Sequence, residues 1–97
     1  MRGNRTFGSF KHKGLKNLFL KNQTQGLSWM HVPRIRNRLA VINAAEKIEN
    51  IDLPGYRLHA LAGDRADLWS VAVPGNWRII FKFYEGDAWI LNYEDFH

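Results

Sequence analysis

Trp77-Arg78-Ile79-Ile80-Phe81-Lys82-Phe83 is the stretch on which the fold turns. Side chains alternate across a strand, so Trp77, Ile79, Phe81 and Phe83 share one face, while Arg78, Ile80, Lys82 and Tyr84 share the other. A strand with one oily and one mixed, basic face covers a core on one side only. Before it, Leu68-Trp69-Ser70-Val71-Ala72-Val73 reads as a second strand across the turn Pro74-Gly75-Asn76. After it, Glu85-Gly86-Asp87 turns the chain into Ala88-Trp89-Ile90-Leu91-Asn92-Tyr93. The three strands form an antiparallel meander. Tyr56-Arg57-Leu58-His59 reads as a further strand, in which alternation separates Tyr56, Leu58 and Ala60 from Arg57, His59 and Leu61. Trp69, Trp77 and Trp89 stand among aliphatic neighbours and are expected in the core.

Working back towards the N-terminus, Phe7 to Phe10 forms a first short strand, and Leu15, Leu18 and Phe19 recur at helical spacing in a segment ending near Asn22 to Gly26. Val32, Ile35, Leu39 and Ile42 mark a second helix, expected to run on towards Ile48 with Ala44 and Ala45 in support. It starts either at a Ser28 cap, with a kink at Pro33, or nearer Pro33 itself. Asp52-Leu53-Pro54-Gly55 ends it. Two helices on one face of a mixed, mostly antiparallel sheet make an α+β fold with the second face left for a ligand.

The chain has 97 residues, which is one domain, with Met1 to Thr6 as a flexible basic extension. The absence of cysteine excludes a disulfide framework and thiolate metal sites. No apolar run approaches the ~20 residues of a membrane span, and no apolar region follows the N-terminal cations as in a secretory signal. A cytoplasmic protein with no membrane partner is expected. The net charge of +5 is unevenly distributed: Met1 to Ala45 carries nine basic residues and no acidic one, and the remainder five basic and nine acidic. Such a block suits a phosphate backbone, an acidic protein partner or a solubilising surface. His31, Arg34 and Arg38 return to one side of the second helix, where like charges four apart either face an anionic partner or splay into solvent.

Ser9-Phe10-Lys11-His12-Lys13-Gly14-Leu15, Asp52-Leu53-Pro54-Gly55-Tyr56-Arg57-Leu58-His59, Gly63-Asp64-Arg65, Leu68-Trp69-Ser70-Val71, Gly75-Asn76-Trp77-Arg78-Ile79 and Asn92-Tyr93-Glu94-Asp95-Phe96-His97 occur in this order. Together they resemble the HigB-type toxins of bacterial toxin–antitoxin systems, a branch of the RelE/ParE superfamily also called plasmid maintenance killer proteins. The resemblance covers nearly the whole chain. It implies a compact RelE-like fold, ribosome-dependent cleavage of messenger RNA, and a HigA-type helix-turn-helix antitoxin as partner, through which the toxin meets operator DNA indirectly. The family's active residues have counterparts in His59, Arg78, Asp95 and His97. Two positions depart from the pattern: Ala62 stands where several relatives have lysine, and Phe96 where tyrosine is common.

RNA carries its own nucleophile, the 2′-OH, so the enzyme needs to move protons and stabilise charge on phosphorus. Imidazole suits both proton transfers, which points to His59 and His97. Asp95 and the terminal carboxylate favour the charged form of His97 and tilt it towards general acid. The alternative for His59 is a strand histidine hydrogen-bonded to a neighbour. Arg78, in mid-strand between apolar residues, offers a planar fork that matches phosphate; its alternative is an ion pair with Asp95 or Glu94. Arg65 is placed to supply part of the charge that Ala62 lacks. Lys11, Lys13, Lys16, Arg34, Arg38, Arg57 and Lys82 are the cations expected to hold ribosomal or messenger RNA, and Tyr84 and Phe96 are aromatic residues able to stack a base. No His or carboxylate set has metal-ligand spacing, and no cofactor motif occurs; His12 and His31 stand alone on basic segments. Two other functions remain open on the sequence. One is a non-enzymatic inhibitor of DNA gyrase, like the ParE branch, and the other a catalytically weakened relative in an antitoxin repressor complex.

Overall fold

A computed structural model describes residues 9–73 and 75–95. The expected basic extension, Phe7, Pro74, Phe96 and His97 lie outside the described residues. Helices α1 (Lys13–Lys21) and α2 (Val32–Ala44) precede four strands, β1 (His59–Ala60), β2 (Trp69–Ala72), β3 (Trp77–Tyr84) and β4 (Asp87–Asp95). The strands lie side by side in chain order, each antiparallel to the next. A parallel component comes from Phe10, which bridges to Leu91. No helix among the described residues is long and apolar enough to cross a membrane.

Helix α1 starts at an extended His12, whose Nδ1 accepts the Leu15 N–H at 3.2 Å and so satisfies one of the unpartnered donors of the first turn. The imidazole sits directly over Gly14, where a Cβ would come within 2.8 Å of its Cε1. The helix closes at Asn22 in the left-handed region, with the Gln23 N–H returning to the Asn17 carbonyl. Helix α2 begins at Val32 with Pro33 in its first turn, where a missing N–H costs nothing. Ser28 therefore belongs to the preceding turn, and its carbonyl accepts the His31 N–H.

The core is the apolar faces read from the spacing. Leu15 and Leu18 of α1 and Ile35, Leu39 and Ile42 of α2 pack on Val71, Ile79, Phe81 and Leu91 of the sheet, all buried in one cluster. Trp69, Trp77 and Phe83 pack against it while half-buried. Truncating Phe81, which is fully buried, would cost about 3–5 kcal/mol.

Three expectations are corrected. Helix α2 stops at Ala44, because Ala45 turns extended and Asn50 Oδ1 takes the N–H groups of Glu46 and Lys47; Ile48–Ile51 is a separate 3-10 turn. The strand expected from Tyr56 is reduced to His59–Ala60, since Arg57 is left-handed (φ 51°) and breaks the pleat. Tyr56 is drawn inward, its hydroxyl donating to Asn37 Oδ1 and its carbonyl accepting the Ala72 N–H. Trp89 is not core. The β3–β4 register slips between Ile80 and Lys82, with Ile90 left-handed (φ 49°), so Trp89 pairs with Lys82 and is 39% exposed. Ser9 occupies this bulge, its Oγ accepting the Ile90 N–H at 2.8 Å and its carbonyl the Leu91 N–H at 3.2 Å.

Candidate active site

The second face of the sheet is ordered by register. His59 stands opposite Ser70, Ser70 opposite Ile80 and Ile80 opposite Asn92, forming one row across all four strands. Ala72, Arg78 and Glu94 form the next row. His59 and Arg78 therefore share a face, two strands apart. The face is less bare than the sequence suggests, since Ser70 and Ile80 on it are buried. Ile80 floors a hollow of about 340 Å³ whose walls include Lys11, Arg65, Asn92 and Glu94. Lys11 thus flanks this face, whereas Lys13 and Lys16 lie exposed on α1.

Glu94 is engaged from two sides. Arg65 Nη2 donates to both carboxylate oxygens, at 3.0 and 2.9 Å, and Asn92 Nδ2 donates to Oε2 at 2.7 Å. The tight Gly63–Arg65 turn brings Arg65 to this position. Ala62, directly before that turn, is exposed. Asp95 pairs with Trp77, so the pleat places its carboxylate on the face of Trp77 and Tyr93, away from Glu94. His59 is exposed, and its Nδ1 lies 3.1 Å from the Arg57 carbonyl. Lys82 makes a loose contact of 3.8 Å with Asp67, beside exposed Tyr84 and Trp89.

Around Tyr93 the structure gathers residues that stand apart in the sequence. Its ring stacks on Trp77 (centroids 4.4 Å apart) and meets His12 edge-on, and its hydroxyl shares a 2.5 Å hydrogen bond with His31 Nδ1. Burial first, and then the Asp95 charge, push the Tyr93 hydroxyl up to about 12. Burial lowers the pKa of His12, in keeping with its neutral capping role. Neither histidine joins a metal set: among the described residues no three His, Cys, Asp or Glu side chains are grouped to hold an ion.

At the end of the sheet, between it and α2, is a cleft of about 430 Å³ lined by Arg34, Arg38, Arg57 and Arg78 with Gly55, Ala72, Val73, Gly75 and Asn76. Among the described residues that line it, four are arginines and none is acidic. Arg38 does not splay into solvent. Its Nε donates to the Ala72 carbonyl at 2.7 Å and its Cζ lies 4.3 Å from the Tyr56 ring centroid, a cation–π contact. Burial chiefly, and Arg34 in addition, lower its pKa, with Tyr56 opposing; burial also raises that of Tyr56, with Arg38 opposing. The place of Arg57 in this cleft was not readable from the strand pattern. The available signal was Pro54-Gly55, whose turn closes through Tyr56 N–H to the Leu53 carbonyl and leaves the next residue outside the ladder.

The family model for the RelE-like toxin of the type II toxin–antitoxin system HigB matches residues 8–97. The chain belongs to the HigB-like toxin family. A relative in that family, Endoribonuclease HigB of Proteus vulgaris, is 53% identical over 89 residues, covering 92% of this chain and 97% of the relative. Two helices against a four-stranded antiparallel sheet agree with the RelE-like architecture implied by the resemblance. As a HigB-like toxin of a type II system, the protein has an antitoxin as its counterpart.

Proposed function

We propose that this HigB-like toxin is an endoribonuclease that cleaves messenger RNA on the ribosome, acts in the cytoplasm and is neutralised by a HigA-type antitoxin, through which it reaches operator DNA. The observation that carries this reading is Arg78, held in β3 at the junction of the histidine-bearing sheet face and the arginine-lined cleft. Its guanidinium is the clamp for the scissile phosphate. The name of the Proteus vulgaris relative favours a nuclease over a gyrase inhibitor.

In this mechanism His59 and His97 share the two proton transfers: one removes the 2′-OH proton and the other protonates the 5′ leaving oxygen. Asp95 is the carboxylate proposed to act beside His97, and Arg65, paired with Glu94, lines the hollow beside the same face as His59. The exposed Lys13 and Lys16 of α1 contact ribosomal RNA, Lys82 and Phe96 contact the message, and Lys11 adds charge at the hollow. The nucleophile is the substrate's own hydroxyl, so the products carry a 2′,3′-cyclic phosphate or 3′-phosphate and a 5′-OH. End-group analysis of messenger fragments from programmed ribosomes tests this; 5′-phosphate ends would overturn it.

A further inference from the structure

Resting on the ribonuclease reading, we propose that Arg34, Arg38 and Arg57 form a second phosphate subsite, which holds a backbone phosphate of the same RNA strand that Arg78 clamps. The sequence groups Arg34 and Arg38 with cations for the ribosome; the fold instead places them in one cleft with Arg78.

Three observations converge on a phosphate. Among the lining residues every charged group is an arginine, and each guanidinium presents a fork suited to phosphate oxygens. One of the three is rigid before any ligand arrives. Arg38 directs Nε to the Ala72 carbonyl and Nη1, at 3.5 Å, to the Arg34 carbonyl, which leaves three of its five N–H donors for an anion. Ala72 is also the direct ladder partner of Arg78, so the rigid arginine is tied to the strand position facing the proposed clamp. Finally, Arg57 is a non-glycine residue held in the left-handed region (φ 51°), a conformation that costs energy for a side chain with a Cβ. Glycine would suit that backbone better, and what arginine contributes there is a cation at the cleft.

An acidic segment of the antitoxin is the competing occupant. The lining favours RNA: among the described residues its apolar members Ala72 and Val73 are buried and its other uncharged side chain is Asn76, so these residues offer no exposed apolar centre on which a protein partner would anchor.

The test uses the full-length toxin and a short 2′-O-methyl RNA, which binds without being cleaved, followed by fluorescence anisotropy over a range of salt. Arg34→Gln with Arg57→Gly should weaken binding on the order of tenfold or more. The same pair should reduce the slope of log affinity against log salt by about 0.7, the value for one lost phosphate contact to a single strand. Arg57→Gly alone should melt at or above the parent temperature while binding RNA less tightly, a combination that a structural role for Arg57 does not produce. Parent-like affinity and slope in the double variant would overturn the subsite. So would loss of antitoxin binding with RNA binding intact. The two readings fail separately: no messenger cleavage by the parent, with the arginine-dependent RNA binding present, removes the ribonuclease and leaves the subsite. Parent cleavage with unchanged binding by the double variant removes the subsite alone.

Discussion

Arg65 and Glu94 meet through both carboxylate oxygens, at 3.0 and 2.9 Å, although in register the residue opposite Glu94 is Arg78. The carboxylate opposite the proposed phosphate clamp is thereby bound by an arginine from another element. Their side chains are 41% and 28% exposed, so screening keeps the pair to about 1 kcal/mol or less. A double-mutant cycle on Arg65→Ala and Glu94→Gln, followed by denaturant unfolding, should give a coupling in that range. A coupling of zero would show that the contact fixes no part of the loop.

Arg78→Ala should reduce messenger cleavage by on the order of 10²- to 10³-fold, the usual loss for one preorganised stabiliser of transition-state charge. Antitoxin binding should persist. Growth arrest on induction, with pull-down of the toxin by its antitoxin as the folding control, reads both.

Gly14→Ala should destabilise the protein even though alanine is ordinarily the better helix residue by about 1 kcal/mol. The new methyl would stand 2.8 Å from the His12 ring and 3.2 Å from the Gln25 carbonyl oxygen, dislodging the cap of α1. Thermal denaturation checks the sign.

The His12 cap also sets an acid limit. Its folded pKa is lowered, so the unfolded chain takes up a proton first as pH falls below about 6.5, and the stability present above that value is lost as pH drops through the folded pKa. His12→Asn, which caps without titrating, should flatten this part of the stability profile.

At the alkaline end Tyr93 acts in the opposite sense. Its hydroxyl is pushed up to about 12 from 10.0, so the folded state keeps a proton that the unfolded chain releases. Stability should hold below pH 10 and fall by about 2–3 kcal/mol as pH rises from 10 to 12. Tyr93→Phe should remove that slope and, at neutral pH, cost about 1 kcal/mol for the lost bond to His31. Unfolding curves at several pH values compare the two proteins.

Alternation along Trp77 to Tyr84 and the three- and four-residue spacing from Val32 to Ile42 were enough to assign the core, because both are periodic properties of burial. What escaped the sequence were single residues where the period breaks. Arg57 and Ile90 each take a left-handed conformation without glycine, which shortened one expected strand and turned Trp89 outward. The proposed site was legible as residue types, but not as an arrangement. Nothing in the spacing shows that Arg65 would take Glu94, or that Arg34 and Arg38 would share a cleft with Arg78.

The clasp of Ser9 on the bulge at Ile90 bears on how the molecule avoids its own kind. A sheet rim invites another chain wherever it offers a long row of unpaired N–H and C=O groups. Here one rim, β1, is two residues long, and the other, β4, is kinked at Ile90 and met there by Ser9, Phe10 and Lys11, which take up the Ile90 and Leu91 backbone groups. Neither rim offers an uninterrupted template, so strand-by-strand growth into polymers is blocked at both ends of the sheet. Other macromolecules are left to approach through the helices, the cleft and the histidine-bearing face.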